Sequence, residues 1–176
     1  MEARETVGKI LIEHEQIIDR AKEIGRQISN DFKDEEIVLV GILKGSVFWL
    51  SDVAKNIDGN VGLEFMAVSS YGKDTKTSGT VKILKDIDAD VSGKNVIIVE
   101  DIVDSGITLS YLTKYFANKN AKEVRICTLL DKPSGRRVEV GVDYIGFTVE
   151  DLFIVGYGLD FDQKYRHLPY ISYLEA

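Results

Sequence analysis

Three carboxylates and a run of small residues stand together in Val96-Ile97-Ile98-Val99-Glu100-Asp101-Ile102-Val103-Asp104-Ser105-Gly106-Ile107-Thr108. An apolar run long enough for a buried parallel strand meets the adjacent acids Glu100 and Asp101, and Asp104 follows. The turn Ser105-Gly106-Ile107-Thr108 leads into Leu109-Ser110-Tyr111-Leu112-Thr113-Lys114-Tyr115-Phe116, whose apolar residues fall at helical spacing. Amides at such a turn and in the first helical turn lack intrahelical partners, and the helix dipole favours negative charge there, so the junction suits a phosphate. Carboxylates at a strand end accept hydrogen bonds from sugar hydroxyls or hold a hard cation such as Mg²⁺. Together these features read as a site for a phosphorylated sugar. The plain alternative is a buried strand with a solvated acidic turn and an ordinary helix cap.

The elements that must position this site alternate along the chain. Ile17, Ala21, Ile24 and Ile28 predict a helix near 13–31, and Ile37 to Leu43 predicts a buried strand. A turn at Lys44-Gly45-Ser46 precedes a helix carrying Val47, Trp49, Leu50 and Val53. Val61 to Ser70 reads as the next strand, followed by a polar segment from Tyr71 to Thr80 and a short strand from Val81 to Leu84. After the central strand and its helix come strands at 123–130 and 143–149, then Phe153 to Tyr157, and a short aromatic stretch from Asp160 to Ala176. Such alternation predicts an α/β fold, a mostly parallel sheet flanked by helices with right-handed crossovers. Ligands then bind beyond the carboxyl ends of the strands, where Lys44, Asp101 and Asp104 fall. No repeat or linker divides the chain, and residues 1–176 are expected to form one domain.

Composition narrows the function. The chain has 176 residues, 44% hydrophobic and 29% charged, as in an ordinary soluble domain. A net charge of −7 provides no broad basic surface for nucleic acid or anionic membrane. Polyphosphate binding would need Mg²⁺ and a few placed cations. The charged start Met1-Glu2-Ala3-Arg4-Glu5 is unlike a signal peptide, and no apolar run has the roughly 18–20 residues of a membrane span. Cys127, the single cysteine, lies in an apolar strand and is expected to be buried and unreactive. These features point to the cytoplasm. His14 and His167 make no metal-ligand pattern.

The acidic segment resembles the donor-binding motif of the type I phosphoribosyltransferases, and its Glu-Asp-Ile-Val-Asp-Ser-Gly form that of their hypoxanthine-guanine branch. Four more segments match the same pattern, so that the likeness runs from about Ile37 to Arg166. The resemblance implies Mg²⁺-dependent transfer of a 5-phosphoribosyl group from phosphoribosyl pyrophosphate to hypoxanthine or guanine, giving IMP or GMP and pyrophosphate. It implies that family's fold, with a small hood built from the terminal segments, and a homodimer or homotetramer. Trp49 or Tyr115 then become candidate interface residues.

Each segment carries a role by that resemblance. Glu100 and Asp101 would bind ribose, and Asp104, Ser105, Gly106, Ile107 and Thr108 the 5′-phosphate. Leu43, Lys44, Gly45 and Arg166 would contact pyrophosphate, with a non-proline cis peptide between Leu43 and Lys44. Ser70 and Tyr71 belong to a flexible loop, about 71–80, that closes over the site. In Leu129-Leu130-Asp131-Lys132-Pro133, Lys132 would donate to the exocyclic oxygen of a 6-oxopurine. An ammonium has only donors, so it suits a keto oxygen better than the amino group of adenine. In Asp151-Leu152-Phe153-Ile154-Val155-Gly156-Tyr157-Gly158-Leu159-Asp160, Phe153 would stack on the purine opposite Ile102, and the Ile154 backbone would meet its pairing edge. Asp160 would join the purine site and, with Glu100 and Asp101, hold Mg²⁺. Asp104 would take the purine N7 proton.

Two features depart from the pattern or stand outside it. Position 107 is Ile where some relatives carry Lys, so phosphate would rest on amides and the Ser105 and Thr108 hydroxyls. The basic stretch Ser134-Gly135-Arg136-Arg137 fits either solvated surface or a subunit contact. Competing functions fare less well. An aspartyl phosphohydrolase needs a D-x-D order, whereas the acids here run Glu-Asp-x-x-Asp, and an RNA-binding regulator on this fold needs a basic face. Xanthine remains open as a substrate; adenine or orotate would need another base pocket.

Overall fold

Helix α1 (His14–Asp31) follows the short strand β1 (Thr6–Val7) and opens with a capping box, in which the Glu13 amide donates to the Gln16 side chain at 2.8 Å. In this computed structural model, which describes residues 6–70 and 81–175, the next elements are β2 (Glu36–Leu43), α2 (Val47–Ala54), β3 (Asn60–Ser70) and β4 (Val81–Lys85). They are followed by β5 (Asn95–Val103), α3 (Ile107–Asn118), β6 (Glu123–Asp131), β7 (Tyr144–Thr148), β8 (Ile154–Val155) and β9 (Ser172–Glu175). Ser70 closes β3, but its side chain and Tyr71, with the expected closing loop at 71–80, lie outside the described residues.

Six strands form the main sheet in the order β4-β3-β2-β5-β6-β7. All neighbours run parallel except the edge strand β4, which is antiparallel to β3. The apolar runs are continuous because both faces are covered. Successive residues of β2 alternate between two cores: Ile37 and Leu39 pack with α1 and α2, while Val38, Val40 and Ile42 pack with α3. In β5 the same alternation puts Ile97 and Val99 on the first side and Val96 and Ile98 on the second. Each such fully buried aliphatic side chain contributes about 1.5–3 kcal/mol.

Four details depart from or sharpen the sequence reading. Strand β5 does not stop at the acidic pair but runs on to Val103, because β6 is long enough to pair Ile102 with Leu130 and Val103 with Asp131. The segment at 153–157 does not extend the main sheet. Only Ile154–Val155 is strand, and it joins β9 and β1 in a separate antiparallel sheet that forms the terminal hood. Trp49 is wholly buried in the α1–α2 core and presents no interface surface, while Tyr115 is half-buried with its hydroxyl bonded to Asp86. Cys127 is buried, and desolvation pushes its thiol up to about 12. Among the described residues no helix is long and apolar enough to cross a membrane.

Candidate active site

Glu100, Asp101, Ile102 and Val103 form the last stretch of β5, and Asp104 begins the turn into α3. Gly106 caps that helix in the left-handed region (φ 82°), a conformation open to glycine at little cost. The Ile107 amide donates to the Ser105 hydroxyl oxygen at 3.3 Å, which leaves that hydroxyl's own proton available to an incoming anion. A cleft of about 130 Å³ opens here, lined by residues that include Glu100, Asp104, Ser105, Gly106 and Thr108. Its size and donors suit a phosphate group.

Glu100 is 9% exposed and sits against Asp101. Burial, then the neighbouring charge of Asp101, holds the Glu100 carboxyl well above the usual range. Burial also raises Asp101, against the opposing pull of its hydrogen bonds, including the Ile102 amide at 2.7 Å, and of the Arg166 charge. Gly45, in the turn after β2, packs directly on Asp101: a Cβ there would lie 1.8 Å from its Oδ2. The Leu43-Lys44 peptide before that glycine is cis.

Two cations from distant parts of the chain meet nearby. The Lys44 ammonium and the Arg166 guanidinium both donate to the side-chain oxygen of Gln163 at 3.3 Å. Arg166 also donates to the Gly158 carbonyl (2.6 Å) and pairs with Asp160 (3.1 Å). Asp160 is thereby engaged by Arg166, and among the described residues no three acidic, His or Cys side chains converge on one point. Of the expected Mg²⁺ residues, Glu100 and Asp101 are neighbours at the end of β5, while Asp160 is paired with Arg166. A pair of desolvated carboxylates still fits Mg²⁺, which takes one or two protein carboxylates and completes its shell with water and substrate phosphates.

A second cleft, of about 290 Å³, adjoins the first. It is lined by Asp101, Ile102, Asp104, Lys132, Leu152, Phe153, Ile154, Leu159 and Asp160. Phe153 stands 55% exposed at this cleft, its ring at 77° to that of Phe161 with centroids 5.5 Å apart. Lys132 enters from the end of β6, paired with Asp151 at 2.9 Å and with Asp104 at 3.8 Å. The hydrogen bond to Asp151 is the main reason its ammonium is raised above the ordinary lysine value. Ile102 and Asp104 line both clefts.

The structure thus gathers Asp101, Asp104 and Lys132 with Phe153, Ile154 and Asp160, places Glu100 with Asp104 at the first cleft, and brings Lys44 and Arg166 to one oxygen of Gln163. Sequence reasoning passed over Asp151 and Gln163, the partners that hold these cations; an acid beside Leu152-Phe153 and a glutamine in a polar loop carry no local signal. It also passed over the close approach of Gly45.

Two adjoining clefts at the carboxyl ends of a mostly parallel sheet, with a separate sheet of terminal strands as hood, have the architecture of a type I phosphoribosyltransferase. Residues 8–162 match the phosphoribosyl transferase domain family. The hypoxanthine-guanine phosphoribosyltransferase of Bacillus subtilis is 47% identical, the alignment covering 96% of this chain and 94% of that protein. The crystal structure of a hypoxanthine phosphoribosyltransferase from Staphylococcus aureus superposes with a TM-score of 0.93 at 40% identity, over 96% of this chain and 92% of that one. A bifunctional TilS/HprT protein of Listeria monocytogenes is 45% identical, and this chain spans 26% of its length. The chain belongs to the phosphoribosyltransferase family, in its hypoxanthine-guanine branch.

Proposed function

We propose that this chain serves purine salvage by transferring the 5-phosphoribosyl group of phosphoribosyl pyrophosphate to hypoxanthine or guanine, yielding IMP or GMP and pyrophosphate. The observation that carries this reading is that the two clefts share Asp104 and Ile102. A ribose 5-phosphate seated in the first cleft points its C1 towards a base in the second.

In this scheme the amides and hydroxyls of Ser105 to Thr108 hold the 5′-phosphate, and Glu100 and Asp101 fix the ribose hydroxyls, supplying orientation. Leu43, Lys44, Gly45 and Arg166 receive the pyrophosphate, where negative charge grows as its bond to C1 breaks. Phe153 and Ile102 sandwich the purine, and the Ile154 backbone meets its pairing edge. Lys132 leaves Asp151 to donate to the purine's exocyclic oxygen. Asp104, bordering both clefts, accepts the N7 proton, a role that typically contributes about 10²–10⁴-fold. Glu100, Asp101 and Asp160 would hold Mg²⁺, which would neutralise charge on the leaving group. Asp160, at the second cleft, joins the purine site and pairs with Arg166.

Residues 71–80, with Ser70 and Tyr71, are proposed to close over the site and exclude water. The pairing of Ser70 with Val81 brings the two ends of that segment together. Residues 1–176 are taken as one domain. A homodimer or homotetramer is proposed because Phe48 (40% exposed) and Leu63 (50%) leave apolar surface on α2 and β3, and sedimentation velocity tests it. A cytoplasmic setting accords with the single buried cysteine.

The experiment offers hypoxanthine, guanine, xanthine and adenine separately, with phosphoribosyl pyrophosphate and Mg²⁺. Nucleotide from the first two and not from adenine is expected. Turnover of adenine at a similar rate would refute the Lys132 pocket, and no product from any base would refute the function.

A further inference from the structure

The basic stretch at 134–137 lies directly behind the phosphate turn. We propose that Arg136 is a positioning residue for the transfer reaction, whose guanidinium holds the backbone of Val103 and Asp104 against the end of β6, so that phosphate turn, proton acceptor and purine-binding lysine keep one relative placement. The inference rests on the roles proposed above for Asp104, Lys132 and Ser105–Thr108.

The hydrogen bonds behind the turn converge. Nη1 of Arg136 donates to the carbonyl oxygens of both Val103 and Asp104, each at 3.0 Å. Its Nη2 donates to the Asp131 carboxylate, which is 7% exposed. The Val103 carbonyl also accepts the Lys132 amide at 2.9 Å, and the Ser105 carbonyl accepts the amides of Arg137 (2.9 Å) and Val138 (3.0 Å). Three successive carbonyls, of residues 103, 104 and 105, are thus satisfied from the 132–138 side. A carbonyl turned towards the cleft would repel a phosphate, whereas one bonded from behind leaves the turn's amides to face it. The same segment closes on the turn at Gly106, where a Cβ would meet the Val138 carbonyl at 2.5 Å.

The chemistry requires arginine in particular. Three acceptors lie around one planar guanidinium, a fork that the tetrahedral donors of lysine do not reproduce. The buried Asp131 supplies the counter-charge and fixes the fork, since a charge-assisted pair is stronger than a neutral hydrogen bond. Asp131 ends β6 and Lys132 follows it, so the bridge runs from the residue beside the proposed purine donor to the residue proposed as base.

The test uses full-length Arg136→Lys, Arg136→Met and the double variant Asp131→Asn/Arg136→Met, with kcat and both KM values measured per active site and melting temperatures in parallel. Arg136→Lys is expected to fold, to lose about 10–100-fold in kcat, and to raise the donor KM by about tenfold with the base KM little changed. In the double variant, removal of the unpaired buried carboxylate should restore the melting temperature lost in Arg136→Met without restoring kcat. An Arg136→Lys enzyme within twofold of wild type in kcat and donor KM would overturn the inference. So would recovery of kcat in the double variant, which would reduce Arg136 to a partner for Asp131. The wild-type chain in the same assay separates the two claims: if it is active and Arg136→Lys matches it, only this inference falls. If wild type makes no nucleotide, the proposed function falls and takes the inference with it.

Discussion

Replacing Gly135 by alanine tests the role of Asp104 while leaving its carboxylate in the protein. A Cβ at position 135 would lie 1.5 Å from Oδ1 of Asp104 and 2.8 Å from its Cγ, whereas ordinary contact begins near 3.4 Å. The carboxylate oxygen must therefore retreat by about 2 Å. It has somewhere to go, because the Asp104 side chain is 52% exposed and can rotate into solvent. Stability should change by no more than about 0.5 kcal/mol, as for a surface substitution that leaves no buried group unpaired. Catalysis should fall much further. A misplacement of 1 Å costs about 10²-fold, or about 2.7 kcal/mol in the barrier, and complete loss of a general base costs about 10²–10⁴-fold.

The assay is steady-state nucleotide formation by Gly135→Ala, Asp104→Asn and the double variant. Each single variant should lose at least about 10²-fold in kcat with donor binding largely kept. If the alanine acts by moving Asp104, the double variant is no slower than Asp104→Asn alone, since the same interaction cannot be lost twice. Gly135→Ala with wild-type turnover would refute the placement of Asp104 as base. So would a double variant in which the two defects multiply.

Further perturbations follow from the same contacts. Gly45→Ala drives a Cβ to 1.8 Å from Oδ2 of Asp101, which cannot swing clear as Asp104 can; overpacking should cost about 1–3 kcal/mol, read by calorimetry as a lower melting temperature, and should raise the donor KM. Glu100→Gln should melt above wild type at pH 8 without Mg²⁺. The raised carboxyl of Glu100 contributes stability that is fully present below the ordinary glutamate range and lost as pH rises through its folded-state value, so the gap should close towards pH 4, and a pH-independent difference would contradict it. Cys127, with its thiol pushed up to about 12, should resist a thiol reagent at pH 8 in the native protein and react fully in denaturant.

The fold was legible wherever a local period reported burial. In β2 the side chains of Ile37 to Val40 and Ile42, and in β5 those of Val96 to Val99, face one core or the other, so a run of Val, Ile and Leu marks a strand covered on both sides. The end of β5 was less legible, because Ile102 and Val103 stay in the ladder only through pairing with Leu130 and Asp131, a non-local fact. The same holds for 153–157: its apolar sequence suits a strand, but which sheet it joins depends on β9 arriving from the other end of the chain. The phosphate turn announced itself because strand, acids, small residues and helix lie in one short segment. The second cleft was legible only through the family resemblance, since Asp104, Lys132 and Phe153 meet only in space.

Charge shows why the locally readable signals are insufficient for the site. Net charge of −7 provides no broad basic surface for a polyanion, and the acids near the clefts, Glu100, Asp101, Asp104, Asp151 and Asp160, outnumber Lys44, Lys132 and Arg166. Yet each cation of the site is already held: Lys132 by Asp151 and Asp104, Arg166 by Asp160, and Lys44 with Arg166 on Gln163. On the proposed function, a pyrophosphate donor would enter by exchanging partners with these cations, and Mg²⁺ held by Glu100, Asp101 and Asp160 would offset its charge. Pre-pairing keeps the long side chains of Lys44, Lys132 and Arg166 near their working positions, so less conformational entropy is lost on binding than for free surface cations. It would also set the specificity proposed for Lys132. On the proposed function, a base would have to offer an acceptor that draws the ammonium from Asp151, as a 6-oxo group does and a 6-amino group does not.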